Sequence, residues 1–442
     1  MKRLFSDYAY GPQTRAGCWW DETIDAPDWP TLQETIRADV AIVGGGFTGM
    51  SAALHLAETG RSVAVLEAET PGWGASGRNG GFCCLGGARI SERAMIHTYG
   101  PAAAQEYAQA ELAAVNLVDD LLTRLGIQAD RHSQGETQLA HRPRDMVKLR
   151  KLADALARDN GPQPDLIEAA DLPARGLNGP FYGALTTPVG FALNPRKYLF
   201  GLAGAAQAND ARLFQRSAVA RIERRATGYR LHTPDGQVDA QSVLIATNGY
   251  SSEDMPDWLA GRYLPSQSNV LVTRPLTDAE IAAQGWSSDQ MAYDTRNLLH
   301  YFRLMPDRRF LFGMRGGLLS SPSSETRTRR NTRRDFERMF PAWRNVESPN
   351  QWSGMVCLSR RRVPFAGPVP GNPGLFAGLA YHGNGVAMGS YVGSLLANLA
   401  LGRDSDPRCP TVLSTPMKRF PFGRARRVLM PAAYLMYGLR DI

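Results

Sequence analysis

The stretch "ADVAIVGGGFTGMSAALHLAETGRSVAVLEAE" leaves the chain little freedom. The apolar run Val40 to Val43 suits a buried parallel strand and meets Gly44, Gly45 and Gly46. A helix-spaced pattern follows at Met50, Ala53, Leu54 and Ala57, and Gly60 ends it. A second strand runs from Ser62 to Leu66 and finishes at Glu67. This is a βαβ unit with a glycine turn. Gly44 permits the tight turn, Gly46 clears the backbone for a pyrophosphate, and Gly49 lets helix and strand pack closely. The helix N-terminus offers free N–H groups and partial positive charge to phosphates. The Glu67 carboxylate is placed to accept from both hydroxyls of an adenosine ribose and disfavours a 2′-phosphate. The unit therefore predicts a bound dinucleotide. By itself it does not choose between NAD and FAD.

The next segment does. "PGWGASGRNGGFCCLGG", Pro71 to Gly87, follows almost at once. It is nearly half glycine, yet carries Arg78 and Asn79 in its middle. It resembles the second FAD contact of the D-amino acid oxidase superfamily, "G-x-S-G-R-N-x-G". The resemblance continues through "GFALNPRKYLFGLAGAAQANDARLFQRSAVARIE", where Asn194 is placed to cap a helix begun by Pro195. It extends to "ATNGY" and to the C-terminal motif "LFAGLAYHGNGVAMGSYVGSLLANL". Within the superfamily the chain is most similar to the gamma-glutamylputrescine oxidase-like group. That similarity rests on "GWGASGRNGG", the "HYFRLMPDRRFLFG" hairpin and the tail "RFPFGRARRVLMPAAYLMYGLRD".

The resemblance implies an α/β (α+β overall) fold. A Rossmann-type FAD-binding domain would carry a discontinuous substrate domain built on an antiparallel sheet. The expected FAD domain is 36–95, 185–255 and 352–405. Segments 96–184 and 256–351 would form the substrate domain, with a 1–35 N-terminal segment and a 406–442 C-terminal extension. Implied FAD contacts at the first turn are Gly44, Gly46, Phe47, Thr48 and Gly49, followed by Glu67 and Ala68. The glycine loop would add Gly74, Ala75, Ser76, Arg78, Asn79, Gly80 and Gly81. Val219 would touch the adenosine, with Thr247, Asn248 and Gly249 beside the cofactor. Gly383, Asn384, Gly385, Val386 and Ala387 would point a helix dipole at the flavin pyrimidine edge.

The implied chemistry is oxidation of a C–N bond in a small amine or amino acid derivative. Hydride passes to flavin N5 and the imine hydrolyses in water. Positioning dominates such a reaction, so an obligatory side-chain base is not expected. Tyr301, Arg303 and Arg315 lie on the hairpin expected to roof the flavin. An arginine there suits an anionic substrate end, and strand alternation puts Tyr301 and Arg303 on one face. His382 sits in the turn of the C-terminal motif, beside the ring or facing solvent, and Arg362 in "SRRRVP" either meets substrate or flavin or is structural. The sarcosine oxidase branch uses a lysine beside the flavin to activate oxygen. Here lysine is absent between Lys197 and Lys418, so oxygen or another carrier stands open as acceptor. Cys357 lacks the context of that branch's flavin-linked cysteine, which leaves non-covalent FAD. The residues alone also permit a 2-hydroxy acid donor or a non-catalytic flavoprotein.

Net charge is +8. The basic residues form no stripe interleaved with aromatics, so no nucleic acid partner is expected. "TRTRRNTRR" reads as the solvated face of a helix. No apolar run is long enough for a transmembrane span, and the N-terminus lacks a signal-peptide core. The five cysteines fit no disulfide framework, which points to the cytoplasm. Adjacent Cys83 and Cys84 read as small apolar packing or as a redox pair. No metal-ligand spacing occurs, so no metal is expected. Trp19, Trp20 and Trp29 are expected to be packed. The basic and apolar C-terminal tail suits a helix docked on its own domain or one lying on a membrane surface. The oligomeric state is left open.

Overall fold

The glycine spacing produces the expected unit. In a computed structural model, described for residues 1–158, 163–403 and 408–441, β1 spans Thr35–Val43, α1 Phe47–Ala57 and β2 Val63–Leu66. β1 and β2 pair in parallel from Val40↔Val63 to Val43↔Leu66. β1 also pairs in parallel with strand Gln237–Ile245, which pairs with Leu375–Leu379. Strand Arg212–Phe214 extends the sheet beyond β2. The β1 residues Val40 to Val43 and all of β2 are buried, as a sheet covered on both faces requires. α1 packs with helices Pro195–Ala208 and Ala387–Ala400 on one face. On the other face lies an antiparallel ribbon, Arg221–Arg224 with Tyr229–His232, which joins strand Gln237–Ile245 through the turn that includes Asp235 and Gly236. Asn194 caps its helix as expected, accepting from the N–H groups of Arg196 and Lys197.

A second sheet of eight strands stands over the first. Its order is Asn350–Ser359, Tyr263–Val272, Phe310–Arg315, His300–Leu304, Met291–Asp294, Glu136–Leu139, Gly183–Thr187 and Asp165–Glu168. The pairing is antiparallel throughout, except that Met291–Asp294 runs parallel to Glu136–Leu139. The sheet is therefore mixed rather than purely antiparallel. Its outer face buries Phe302, Phe310 and Phe312 against Phe336, Phe340 and Trp343. Phe336 comes from the arginine-rich helix Pro322–Met339, whose remaining surface is largely solvated. The inner face looks onto the first sheet.

Two expected domain seams, at 185 and 352, fall inside strands Gly183–Thr187 and Asn350–Ser359 of the second sheet. Register with Glu136–Leu139 and Tyr263–Val272 carries those strands into the roof. The expected seam at 405–406 lies outside the described residues. Trp20 and Trp29 are buried and Trp19 is half-buried. No helix among the described residues is long and apolar enough to cross a membrane.

Candidate active site

A cavity of about 460 Å3 runs between the two sheets, from Glu67 at one end to Arg89 and Glu136 at the other. Its floor is the glycine turn. Gly44 has φ of +107°, and a Cβ there would lie 2.9 Å from the Ala246 carbonyl oxygen. A Cβ on Gly49 would lie 2.0 Å from the Gly44 carbonyl oxygen, so helix and turn touch backbone to backbone. A Cβ on Gly46 would meet only Ser76 Oγ, at 2.8 Å. That hydroxyl accepts from the Phe47 N–H at 2.9 Å, tying the glycine loop to the start of α1. Glu67 accepts from the N–H groups of Gly45 (2.8 Å) and Glu69 (3.0 Å), and burial raises its pKa.

The glycine loop braces itself with its own polar side chains. Arg78 donates to the Trp73 carbonyl (2.6 Å), Thr14 Oγ1 (3.0 Å) and the Ser353 carbonyl (3.1 Å). Its Nη2 is buried and unpartnered in the cavity wall. Asn79 donates to the carbonyls of Ala75 and Ser76 and accepts from the Gly81 N–H. Asn79 thus spends its amide on the loop, and the Arg78 guanidinium lies beside the Trp73 and Tyr250 rings. Trp20 and Trp352 hold the loop from behind through the carbonyls of Asn79 and Arg78, each at 2.8 Å.

Most residues expected at the cofactor line the cavity: the turn, Glu67, Ala68, Gly74 to Ser76, Arg78 to Gly80, Val219, Thr247, Asn248 and Gly383 to Val386. Gly49, Gly81, Gly249 and Ala387 are not part of the wall, and Gly49 and Gly81 lie in close backbone contact behind it. A Cβ on Gly81, for example, would come within 2.0 Å of the Leu193 carbonyl oxygen. Thr48 Oγ1 and the Tyr381 hydroxyl are 2.7 Å apart, joining α1 to the C-terminal motif. Asn384 donates to the Leu85 carbonyl at 2.5 Å.

The roof separates the four residues expected to handle substrate. Tyr301 and Arg315 line the cavity. The Tyr301 ring lies on Gly313, where a Cβ would come within 2.1 Å of it, and its hydroxyl is 3.1 Å from Ser268 Oγ. Arg315 donates to the His382 carbonyl and has no carboxylate partner among the described residues. Burial and nearby Arg89 push its pKa down to about 10. Arg303 shares the face of Tyr301, but one step along the strand carries it past the cavity. It lies over Trp20 and Phe82, donating to the Leu193 carbonyl (2.8 Å) and His132 Nε2 (3.1 Å). His382 lines the wall, but both ring nitrogens face backbone. Nδ1 donates to the Gly87 carbonyl at 2.7 Å and Nε2 accepts from the Ser359 N–H at 3.1 Å. Burial drives its pKa down to about 3, so the ring is neutral. Arg362 is exposed in a turn away from the cavity.

Arg89, Glu136 and Tyr293 are among the wall residues that escaped the sequence reading. Burial raises Glu136 to about 7. Nothing local marks it, because its place depends on the parallel pairing Glu136↔Met291. Cys84 lines the wall and Cys83 is fully buried. Both are free thiols, raised by burial and packed with apolar side chains.

An elongated dinucleotide fits this wall. Two helix N-termini and a turn cleared of side chains supply what a diphosphate requires, and Glu67 marks a ribose end. A parallel sheet with such a turn, roofed by a mixed sheet, defines a dinucleotide-dependent oxidoreductase of flavoenzyme type.

The comparisons give the family. The model of the DAO family, FAD dependent oxidoreductase, matches residues 39–399, and the chain belongs to that family. It is 31% identical to gamma-glutamylputrescine oxidoreductase of Escherichia coli (strain K12), over 93% of this chain and 94% of that protein. It is 20% identical to glycine oxidase of Bacillus subtilis (strain 168), over 83% and 94%. In fold it is similar to glycine oxidase from Geobacillus kaustophilus, with a TM-score of 0.69 and 21% identity over 88% of this chain and 99% of that one. L-amino acid deaminase from Proteus vulgaris gives 0.69 and 18% over the same shares. The chain is thus an FAD-dependent oxidoreductase of the amine and amino acid oxidising type.

Proposed function

We propose that the enzyme oxidises a C–N bond in a small amine whose other end is anionic, using non-covalently held FAD. The observation that carries this is Arg315: a half-buried guanidinium lining the cavity beside Arg89, without a carboxylate partner among the described residues. A cation facing a largely enclosed cavity is stabilised by an anionic ligand, and a guanidinium suits carboxylate or phosphonate.

Gly44 to Thr48, Ser76 and Arg78 would hold the diphosphate, Glu67 the ribose, and Gly383 to Val386 the flavin edge. When bound, FAD supplies the two-electron oxidant. The His382 carbonyl fixes Arg315, which leaves the remaining N–H groups to orient the substrate anion. Tyr301, paired across the strands with Tyr293 and Gly313, closes the wall with its ring. Glu136 is the wall carboxyl able to hold an ammonium proton, and His382 is barred from that task by its two backbone bonds. Cys357 is a fully buried thiol pushed up to about 12, and this supports non-covalent FAD. Five free thiols accord with a reducing cytoplasm. No lysine lines the cavity among the described residues, which supports an acceptor other than oxygen.

The test is an anaerobic screen with purified, FAD-loaded enzyme. Amines bearing a carboxylate or phosphonate should bleach the flavin absorbance, and air should restore it slowly. Bleaching by hydroxy acids alone, or by no donor, overturns the reading. Release of FAD on acid precipitation checks the non-covalent link.

A further inference from the structure

The C-terminal helix Leu429–Arg440 has two unlike faces. Its inner face is docked. Met430 is buried, the Tyr434 hydroxyl is 2.9 Å from Ser266 Oγ, and the Asp441 carboxylate just beyond accepts from the N–H groups of Asn297 (2.8 Å) and Leu298 (2.9 Å). Arg426, one turn earlier, pairs with Glu253 at 2.6 Å inside the protein. The segment is therefore part of the body.

The outer face is apolar. Val428, Leu435 and Leu439 follow helical spacing and are 61%, 68% and 63% exposed, with Met436 beside them and Phe422 in the preceding turn. Among the described residues, these five are a large part of the exposed large hydrophobics. A helix docked on its own domain points such a stripe inward, so an outward stripe marks a partner surface. Charge identifies the partner. From Lys418 to Arg440 the chain carries basic residues and no Asp or Glu. Lys418, Arg419 and Arg440 are exposed in the same segment, as is Arg424, which also lies 3.6 Å from Glu253, and Arg360 donates to the Arg419 carbonyl. Two copies meeting through this face would set like charges together. An anionic lipid surface complements both features, taking the apolar side chains among its acyl chains and the cations among its headgroups.

We propose that this face seats the enzyme on an anionic membrane surface, with Phe422, Val428, Leu435 and Leu439 inserted and the surrounding arginines on the headgroups. The docking helix touches the roof strand that ends at Val272, through Ser266, so the seated enzyme holds the substrate end of its cavity close to the lipid.

Sedimentation of the FAD-loaded full chain with vesicles tests this. Vesicles of phosphatidylglycerol and phosphatidylcholine should carry the enzyme down, whereas phosphatidylcholine alone should retain about tenfold less. Raised salt should release it. The paired variant Leu435→Glu/Leu439→Glu should lose about tenfold or more in vesicle affinity, as should Arg419→Ala/Arg424→Ala. Leu112→Glu, at an exposed leucine of the helix Pro101–Arg124, should change nothing. Each variant should keep its flavin spectrum. Equal binding to neutral vesicles, no binding, or a dimer in light scattering that the leucine pair abolishes would each overturn the proposal.

Discussion

His382 donates from Nδ1 to the Gly87 carbonyl at 2.7 Å, pinning the C-terminal flavin motif to the end of the glycine loop. The Ser359 N–H fills the other ring nitrogen at 3.1 Å. A ring used in this way must stay neutral. Its folded pKa, about 3, lies below the ordinary 6.5. Below pH 6.5 the unfolded chain takes up a proton that the folded ring refuses, so stability falls with acid until about pH 3. His382→Gln should therefore cost most at neutral pH, about 2–4 kcal/mol. The gap to the parent should narrow by up to about 1.4 kcal/mol per pH unit below 6.5. Denaturant midpoints at pH 7.5 and 5 measure both.

The glycines of the first turn should separate by what their missing Cβ would touch. Gly49→Ala drives a methyl into the Gly44 carbonyl and should yield protein without FAD, or none that folds. Gly46→Ala displaces only the Ser76 hydroxyl and should fold with FAD affinity lowered about tenfold. Gly204→Ala, in a helix with nothing within 4 Å of the new methyl, should stabilise by about 0.5–1 kcal/mol. Flavin content and thermal midpoints distinguish the three.

These contrasts show where the sequence was legible. The βαβ unit, the glycine loop and the Asn194 cap depend on residues a few positions apart, and spacing alone places them. The roof depends on register between distant strands. Alternation put Tyr301 and Arg303 on one face, as found, but could not say where the cavity ends along that strand. Arg89 and Glu136 come from segments whose local pattern says nothing about a wall. The polar pair Arg78 and Asn79 looked like ligand contacts because polar residues among glycines need a partner. The loop's own carbonyls, invisible in sequence, supply most of that need.

Arg315 and Arg303 make a matched pair of tests. Arg315→Ala should raise KM for an anionic amine about 100-fold and leave the flavin spectrum unchanged. Arg303→Leu should leave KM within a few-fold. It should lower stability by about 2–4 kcal/mol, because the Leu193 carbonyl loses its donor in a buried place. If Arg303→Leu raised KM as much as Arg315→Ala, the assignment of Arg315 to the substrate would fall.

Glu136 gives the opposite pH signature to His382. Its folded pKa of about 7 lies above the ordinary 4.5. Between those values the unfolded chain releases a proton that the folded carboxyl keeps, so this group weakens the fold as pH rises from 4.5 to 7. Glu136→Gln removes the penalty. It should raise the thermal midpoint by several degrees at pH 8 and change it little at pH 4.5. Substrate adds a second readout. If the ionised carboxylate receives the substrate ammonium, KM for the parent should fall as pH rises through 7, and that slope should vanish in Glu136→Gln. A variant that gains stability at pH 8 but keeps the KM slope would place Glu136 beside the site without a role in holding substrate.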